Sequence, residues 1–332
     1  MAVVSSFPLL RLPLQNLKDV LLNMGIMEQA LFSVLSVRTK KFVRQFSVFK
    51  NIRMHIRLFS GSVKVEITCN QVNGSISCLF EDEHMSVGRV YILPVHARIY
   101  FTTPDVRSWL NHFLYIINPS KIDVLEYFEN SAEFHEQRFQ ISVDCLKDLN
   151  ILKLHINFNG QLELVPKLIG AFQPQNLLSL RSYPRPPFDS SQKSELRQIL
   201  SQQFQTFILE VDIPLKELLH TNCSYVYLSS SLLTDKDINV FLKHWLAGLK
   251  PKLEFLWLVR SAQVFNPTTI LEGIPHEVAP NDRELKLHYN MLTKVGGVDI
   301  DLGGGIKATM IFDVNFPKLY IAVHNTEYIS FK

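Results

Sequence analysis

Apolar residues recur at helical spacing near the start of the chain and at every second position soon afterwards. Leu14, Leu17, Val20, Leu21 and Met24 share one stripe, which predicts a helix opened by Pro13 and closed by Gly25. Met27, Leu31, Val34 and Leu35 predict a second helix. Val37, Lys41 and Phe42 predict a third, with a basic face from Arg38, Lys40 and Arg44. So short a helical segment buries too little area alone, so part of its apolar surface is expected to face a partner. From about residue 46 the period falls to two. Ile52, Met54, Ile56 and Leu58 alternate with Arg53, His55 and Arg57, and Val63, Val65 and Ile67 alternate with Lys64, Glu66 and Thr68 across Ser60-Gly61-Ser62. That pattern predicts a hairpin. Asn73-Gly74 signals another turn before Ile76, Cys78 and Phe80, and Val90–Val95 predicts one more strand before Pro104.

The middle of the chain alternates between the two periods. Trp109, Leu110, Phe113, Leu114 and Ile117 fit a helix face, whereas Leu152, Leu154, Ile156 and Phe158 alternate with Lys153, His155 and Asn157 as a strand. Ile238, Phe241, Leu242, Trp245, Leu246 and Leu249 define a later helix, capped by Thr234 with Asp237 three residues on and stopped before Pro251. A strand at Leu253–Val259 follows it. Strand centres near Leu125, Leu154, Leu178, Val226 and Leu256, with room for another at Phe207–Val211, recur roughly every 25–30 residues. This predicts an irregular leucine-rich-repeat-like α/β stack, although periodic β-α segments also fit ordinary α/β folds. Ser182–Gln192 is rich in Pro and Ser and predicts an exposed loop. Short strands at Val298–Leu302, Ile306–Ile311 and Leu319–Val323 close the chain. The expected class is mixed α+β and α/β, with three helices at 1–45, a small antiparallel β meander at 46–104 and the repeat-like domain with closing hairpins at 105–332.

Composition narrows the chemistry. The 332 residues carry 34 Lys+Arg against 31 Asp+Glu, a formal charge of +3. That is too small an excess for a general nucleic-acid binder. Charge is uneven, however: residues 1–57 hold nine Lys/Arg against Asp19 and Glu28, a net +7, leaving the rest at −4. A basic patch at Arg38, Lys40, Lys41 and Arg44 therefore keeps nucleic acid as a minor alternative partner. Cys69, Cys78, Cys145 and Cys223 form no C-x-x-C pair, which fits a reduced chain within the cell, in cytoplasm or nucleus. Met1–Leu12 lacks the basic n-region of a secretory signal, and no apolar run is long enough to span a membrane.

Enzyme motifs are missing from the sequence. It holds no H-E-x-x-H, G-x-S-x-G or G-x-x-x-x-G-K-[ST], and Gly303-Gly-Gly-Ile-Lys307 lies between strands instead of before a phosphate-cradling helix. The eleven histidines are scattered. No catalytic residue, metal ligand or cofactor is expected, and the protein is read as a non-catalytic binder.

Phe7-Pro-Leu-Leu-Arg-Leu-Pro13, then Val20-Leu-Leu-Asn-Met24, then Phe32-Ser-Val-Leu-Ser-Val-Arg-Thr-Lys-Lys-Phe-Val43 together resemble an F-box of the large nematode type. Leu218-Leu-His-Thr-Asn-Cys223, Leu233–Trp245 and Ile270-Leu-Glu-Gly-Ile274 resemble that family's type-two F-box-associated domain. Gly297-Val-Asp-Ile300 and Lys307-Ala-Thr-Met-Ile311 resemble its closing hairpin. The resemblance implies a substrate receptor of a cullin-RING ubiquitin ligase, with the F-box on a Skp-type adaptor beside the cullin and the remaining domain on a protein substrate. The expected adaptor anchors are Phe7, Leu9, Leu12, Pro13, Val20, Leu21, Met24, Leu31 and Leu35. In a repeat-like geometry Leu154, Ile156, Val226, Leu228, Leu256 and Leu258 turn inward, which leaves His155, Tyr225, Tyr227, Phe255 and Trp257 outward as expected substrate contacts. A competing class is an interaction scaffold that joins no ligase.

Overall fold

Why the helical and alternating stretches fold as they do is visible at their ends. In a computed structural model of the chain, the described residues are 9–46, 52–59, 62–69, 74–81, 88–92, 97–101, 106–129, 136–159, 162–183, 188–230, 232–250, 252–261, 263–288, 292–313 and 315–331. Phe7, the Ser60-Gly61 turn, Asn73 and the centre of the Pro/Ser-rich stretch lie outside them. The chain divides into two units, 1–152 and 153–332.

The first unit opens with α1 (Leu14–Asn23), α2 (Ile26–Val34) and α3 (Val37–Phe46). Pro13 starts α1, where its missing N–H costs nothing. Gln29 of α2 is fully buried, and its Nε2 donates to Leu21 O and Met24 O, both at 2.8 Å. Those bonds tie α2 to the last carbonyls of α1, where helical partners run out. Ser36 and Thr39 bond reciprocally at the start of α3, at 2.9 and 3.1 Å. Next come β1 (Ile52–Phe59), β2 (Ser62–Cys69), β3 (Gly74–Glu81), β4 (Gly88–Ile92) and β5 (Ala97–Phe101). After them follow α4 (Val106–Ile117), β6 (Lys121–Phe128) and α5 (Glu136–Leu146). The strand order is β6-β1-β2-β3, with β4 and β5 paired separately. β1 and β2 form the expected hairpin, with Ile56 opposite Val65. β6 lies parallel to β1, with Leu125 opposite Ile56. That pairing places β6 and its flanking helices in the first unit, although the sequence assigns 105–332 to one domain.

The second unit begins within β7 (Asn150–Phe158) and continues through α6 (Leu164–Phe172), β8 (Leu177–Ser182), α7 (Ser190–Leu200), β9 (Thr206–Glu210), α8 (Leu215–Leu218), β10 (Tyr225–Ser229), α9 (Asp235–His244) and β11 (Phe255–Val259). These strands are parallel neighbours in chain order. Right-handed crossovers between strands so ordered put every connecting helix on the same face of the sheet. The face toward them is apolar throughout: Leu154, Ile156, Leu178, Leu180, Phe207, Leu209, Val226, Leu228, Leu256 and Leu258 are all buried. Each such side chain contributes about 1.5–3 kcal/mol relative to exposure, so this row fixes the register.

Two helices begin with complete capping boxes, Asp189 with Gln192 and Thr234 with Asp237. The first starts α7 inside the stretch expected to be a loop, because Asp189 caps a helix that the preceding prolines obscure. The helix after Thr234 is α-helical only to His244; Trp245–Leu249 is a π turn, which Gly248 ends at a φ of +76°.

The remaining elements are α10 (Pro267–Ile270), β12 (His276–Val278), β13 (Glu284–Leu287), β14 (Leu292–Val295), β15 (Val298–Asp301), β16 (Lys307–Asp313), β17 (Lys318–Val323) and β18 (Ile329–Phe331). β17 pairs antiparallel with β11 and continues through β16 and β15 to β12, while β14-β13-β18 form a second, three-stranded sheet. The result is a mixed α+β fold with a large mixed sheet and a small antiparallel one. Among the described residues no helix is long and apolar enough to cross a membrane.

Two positions carry particular constraints. Glu217 is fully buried and accepts from Arg197 Nε at 2.5 Å and Nη2 at 3.0 Å. Those bonds hold its carboxyl below the usual range despite burial, so its contribution is present near neutral pH and is lost as pH falls below about 4.5. Arg197→Met should therefore lower Tm strongly at pH 7, and the gap to wild type should narrow in acid as Glu217 takes a proton. A gap independent of pH in thermal melts would contradict this. Gly297 has a φ of +106°, and a Cβ there would meet Thr309 Cγ2 at 2.7 Å and Met310 O at 3.0 Å. Gly303, at +91°, has open space around it. Gly297→Ala should cost roughly 1–3 kcal/mol more than Gly303→Ala in denaturant titrations.

Candidate functional site

In the helical module, Leu17 and Leu21 of α1 pack with Ala30, Phe32, Thr39 and Val43 as its buried positions. Leu21, expected on the docking face, therefore belongs to the module's own core. Leu9, Leu12, Val20, Met24 and Leu31 are half-buried and Pro13 is exposed. Leu35, expected as an anchor, is 72% exposed, and so is Val37 across the α2–α3 junction. Leu14 and Leu22 are exposed as well. Val37, Leu14 and Leu22 are the apolar residues that the sequence reading leaves unassigned to this surface. Leu22 carries the available signal, since it is apolar yet lies off the α1 stripe.

The basic residues of this unit are largely occupied. The Arg44 guanidinium lies 4.3 Å from the Tyr115 ring and donates to Tyr115 O and Asn118 Oδ1, both at 3.1 Å. Lys40 Nζ stands 4.7 Å from the same ring. His55 and Arg57 converge on Glu126 at 3.2 and 2.9 Å. Burial pushes that carboxyl up, but the two bonds prevail and bring its pKa to about 2. His112 contacts Ser33 Oγ through Nε2 at 2.9 Å, and burial, with Lys40 nearby, lowers its pKa to about 4.

In the second unit, the sheet face opposite the helices is ordered in rows. Register places His155 beside Ser179, Ser179 beside Ile208, Ile208 beside Tyr227, Tyr227 beside Trp257 and Trp257 beside Tyr320. A second row runs Thr206, Tyr225, Phe255, Ala322. Alternation along each strand puts both rows on one face, as the sequence predicts for His155, Tyr225, Tyr227, Phe255 and Trp257.

Exposure divides the five. Tyr225 and Phe255 are 0% exposed, so the expectation that they face outward is corrected. The small sheet covers them: their rings stack 5.0 Å apart, Tyr328 lies 5.6 and 5.7 Å from them, and Leu285, Leu287 and Ile329 complete the cluster. His155, Tyr227 and Trp257 are half-buried. Tyr227 meets Trp257 edge to face at 4.7 Å, and Trp257 stacks on Tyr320 at 5.4 Å. Lys294 Nζ pairs with Asp313 at 2.7 Å and lies 5.8 Å from the Tyr320 ring. Burial, with Asp313 nearby, raises the Tyr320 hydroxyl to about 12, so it stays protonated. Towards β8 and β9 the face ends in the Arg181–Glu210 pair at 2.6 Å. The side chains left accessible are thus aromatic and charged, a composition suited to holding another polypeptide.

Such a surface beside one face of covering helices is the build of a protein-interaction domain. Comparison with known proteins finds a likeness there: residues 195–258, from within α7 to β11, match the family model described as F-box associated. Over that stretch the chain is similar to F-box-associated domains. It is similar to the F-box associated domain-containing protein sdz-33 of Caenorhabditis elegans, at 22% identity over 287 residues, 81% of this chain and 85% of that protein. No solved structure matches the chain.

The core position of Phe255 separates it from Tyr227, on the neighbouring strand and the same sheet face. Phe255→Ala should cost about 3–5 kcal/mol in chemical denaturation, whereas Tyr227→Ala, half-exposed, should cost clearly less. Equal losses would place both residues in the core.

Proposed function

We propose that the protein is the substrate-recognition subunit of an SCF-type cullin-RING ubiquitin ligase. In this reading α1–α3 are an F-box that docks on a Skp-type adaptor, and the second unit, a leucine-rich-repeat-like stack, holds the protein to be modified. The observation that carries it is the uncovered apolar set Leu14, Leu22, Leu35 and Val37 on a module whose own core is already filled by Leu17, Leu21 and Val43. The F-box-associated match over 195–258 supports the same reading. The role is non-catalytic. Isopeptide transfer belongs to other subunits of such a ligase, and this chain contributes proximity. It would act inside the cell, in cytoplasm or nucleus. The engagement of Lys40 and Arg44 by Tyr115 favours this over a nucleic-acid role.

Leu35→Asp with Val37→Asp, and separately Leu12→Ala with Pro13→Ala, should abolish co-purification of a Skp-type adaptor while circular dichroism stays unchanged. Leu21→Ala should instead lower the melting temperature. Undiminished adaptor capture by both surface variants would remove the ligase assignment and leave an interaction scaffold.

A further inference from the structure

Three loops meet beyond the carboxyl ends of β10 and β11. Ser230 N donates to Val259 O at 3.1 Å, and Arg260 N donates to Pro317 O at 2.9 Å, so the loops after β10, after β11 and before β17 lie side by side. A shallow, narrow hollow lies there, lined by Leu228, Leu233, Ile238, Leu258 and Phe265, with Ser230 and Arg260 as its main polar groups. Leu232, Val264 and Phe316 stand exposed on the same three loops.

Arg260 is 7% exposed and only half engaged. Nη1 bonds Asp235 Oδ1 at 2.8 Å, and the guanidinium plane lies 4.3 Å from the Phe265 ring. Nε and Nη2 are buried without any hydrogen-bond partner. Those two nitrogens form the side-on fork that matches a carboxylate. The chain uses the same fork at Arg197, whose Nε and Nη2 hold both oxygens of Glu217. Neighbouring carboxylates are already committed: Asp212 accepts from Ser230, Asp235 from Nη1, and Asp237 from Thr234. An acceptor for the empty fork must come from elsewhere, and a buried donor left unpaired favours whatever supplies one.

We propose that this hollow is a docking site for an external polypeptide segment in which an Asp or Glu sits beside an apolar residue. The carboxylate takes the Arg260 fork, and the apolar neighbour rests on Leu232, Val264 and Phe316. The proposal deepens the reading that the second unit holds a protein ligand and rests on that part of it.

The test uses the full chain as bait against a displayed library of random linear peptides, followed by titration of synthetic hits. Wild type should enrich peptides with Asp or Glu within one residue of Leu, Ile, Val or Phe. Replacing that acid by Asn or Gln should weaken binding roughly ten- to a hundred-fold. Arg260→Met with Asp235→Asn, which removes both charges together, should weaken the original peptide to the same degree at an unchanged melting temperature. If that pair fails to fold, Val264→Ser with Phe316→Ser on the exposed rim decides: loss of binding supports the site and unchanged binding overturns it. Enrichment without an acidic requirement, hits that need a phosphoryl group, equal binding by the folded Arg260 variant, or no enrichment at all would each overturn it. Adaptor capture measured on the same variants tests the ligase reading separately, since none of these substitutions touches α1–α3.

Discussion

The second unit depends on the one-sidedness of a parallel sheet whose neighbours follow chain order. Because successive crossovers share a hand, the helices gather on one face, and the apolar rows from β7 to β11 are spent against them. The opposite face must then be closed some other way or stay open. Here the three-stranded sheet closes part of it, over Tyr225, Phe255 and Tyr320. The remainder, from Arg181 and Glu210 to Tyr227 and Trp257, stays partly accessible. The aromatic row consequently passes from core to surface within two adjacent rungs.

Several interior charges follow a common logic. Lys250 is buried, and its Nζ donates to Leu219 O and Thr221 O, carbonyls just beyond α8. Burial lowers its pKa, and it also pushes the nearby Cys223 thiol up to about 12, so that sulfur is no nucleophile. Arg283 grips Asp299 through two nitrogens at 2.6 and 2.8 Å, and Thr309 joins the same carboxylate to His324. That network ties β15, β16 and the end of β17 together. In each case a buried charge closes on fixed partners, which is what makes burial tolerable. Arg260, with half its donors idle, departs from the rule.

Much of this was legible in the chain because periodicity reports directly on which side is apolar. The helices α1 to α3, the β1–β2 hairpin, the Thr234 box and the inward row from Leu154 to Leu258 are all local patterns, and each appears where its spacing puts it. What periodicity does not carry is the identity of the cover. Alternation placed Tyr225 and Phe255 opposite the helices correctly, but their burial comes from Tyr328 and Leu285, which lie 30 to 103 residues further along the chain and meet them only through long-range pairing. The same holds for Leu21: one stripe served both the module's core and its surface, and only packing divides Leu21 from Leu35. β6 crossed the expected domain boundary because parallel pairing with β1 leaves no local trace.

The proposed role, recruitment by proximity, makes a particular demand: its informative residues are those whose physical needs the chain itself leaves unmet. The lowered carboxylates Glu126, Glu217 and Asp299 are shifted by partners that also hold the fold together. They are structural ion pairs. The unmet needs lie elsewhere, in the exposed leucines of the helical module and in the unpaired fork of Arg260 beneath an apolar lining. One is a demand for apolar cover and the other for an anionic acceptor. Two demands so different in chemistry call for two different kinds of cover, which is the arrangement the proposed recruiting role requires.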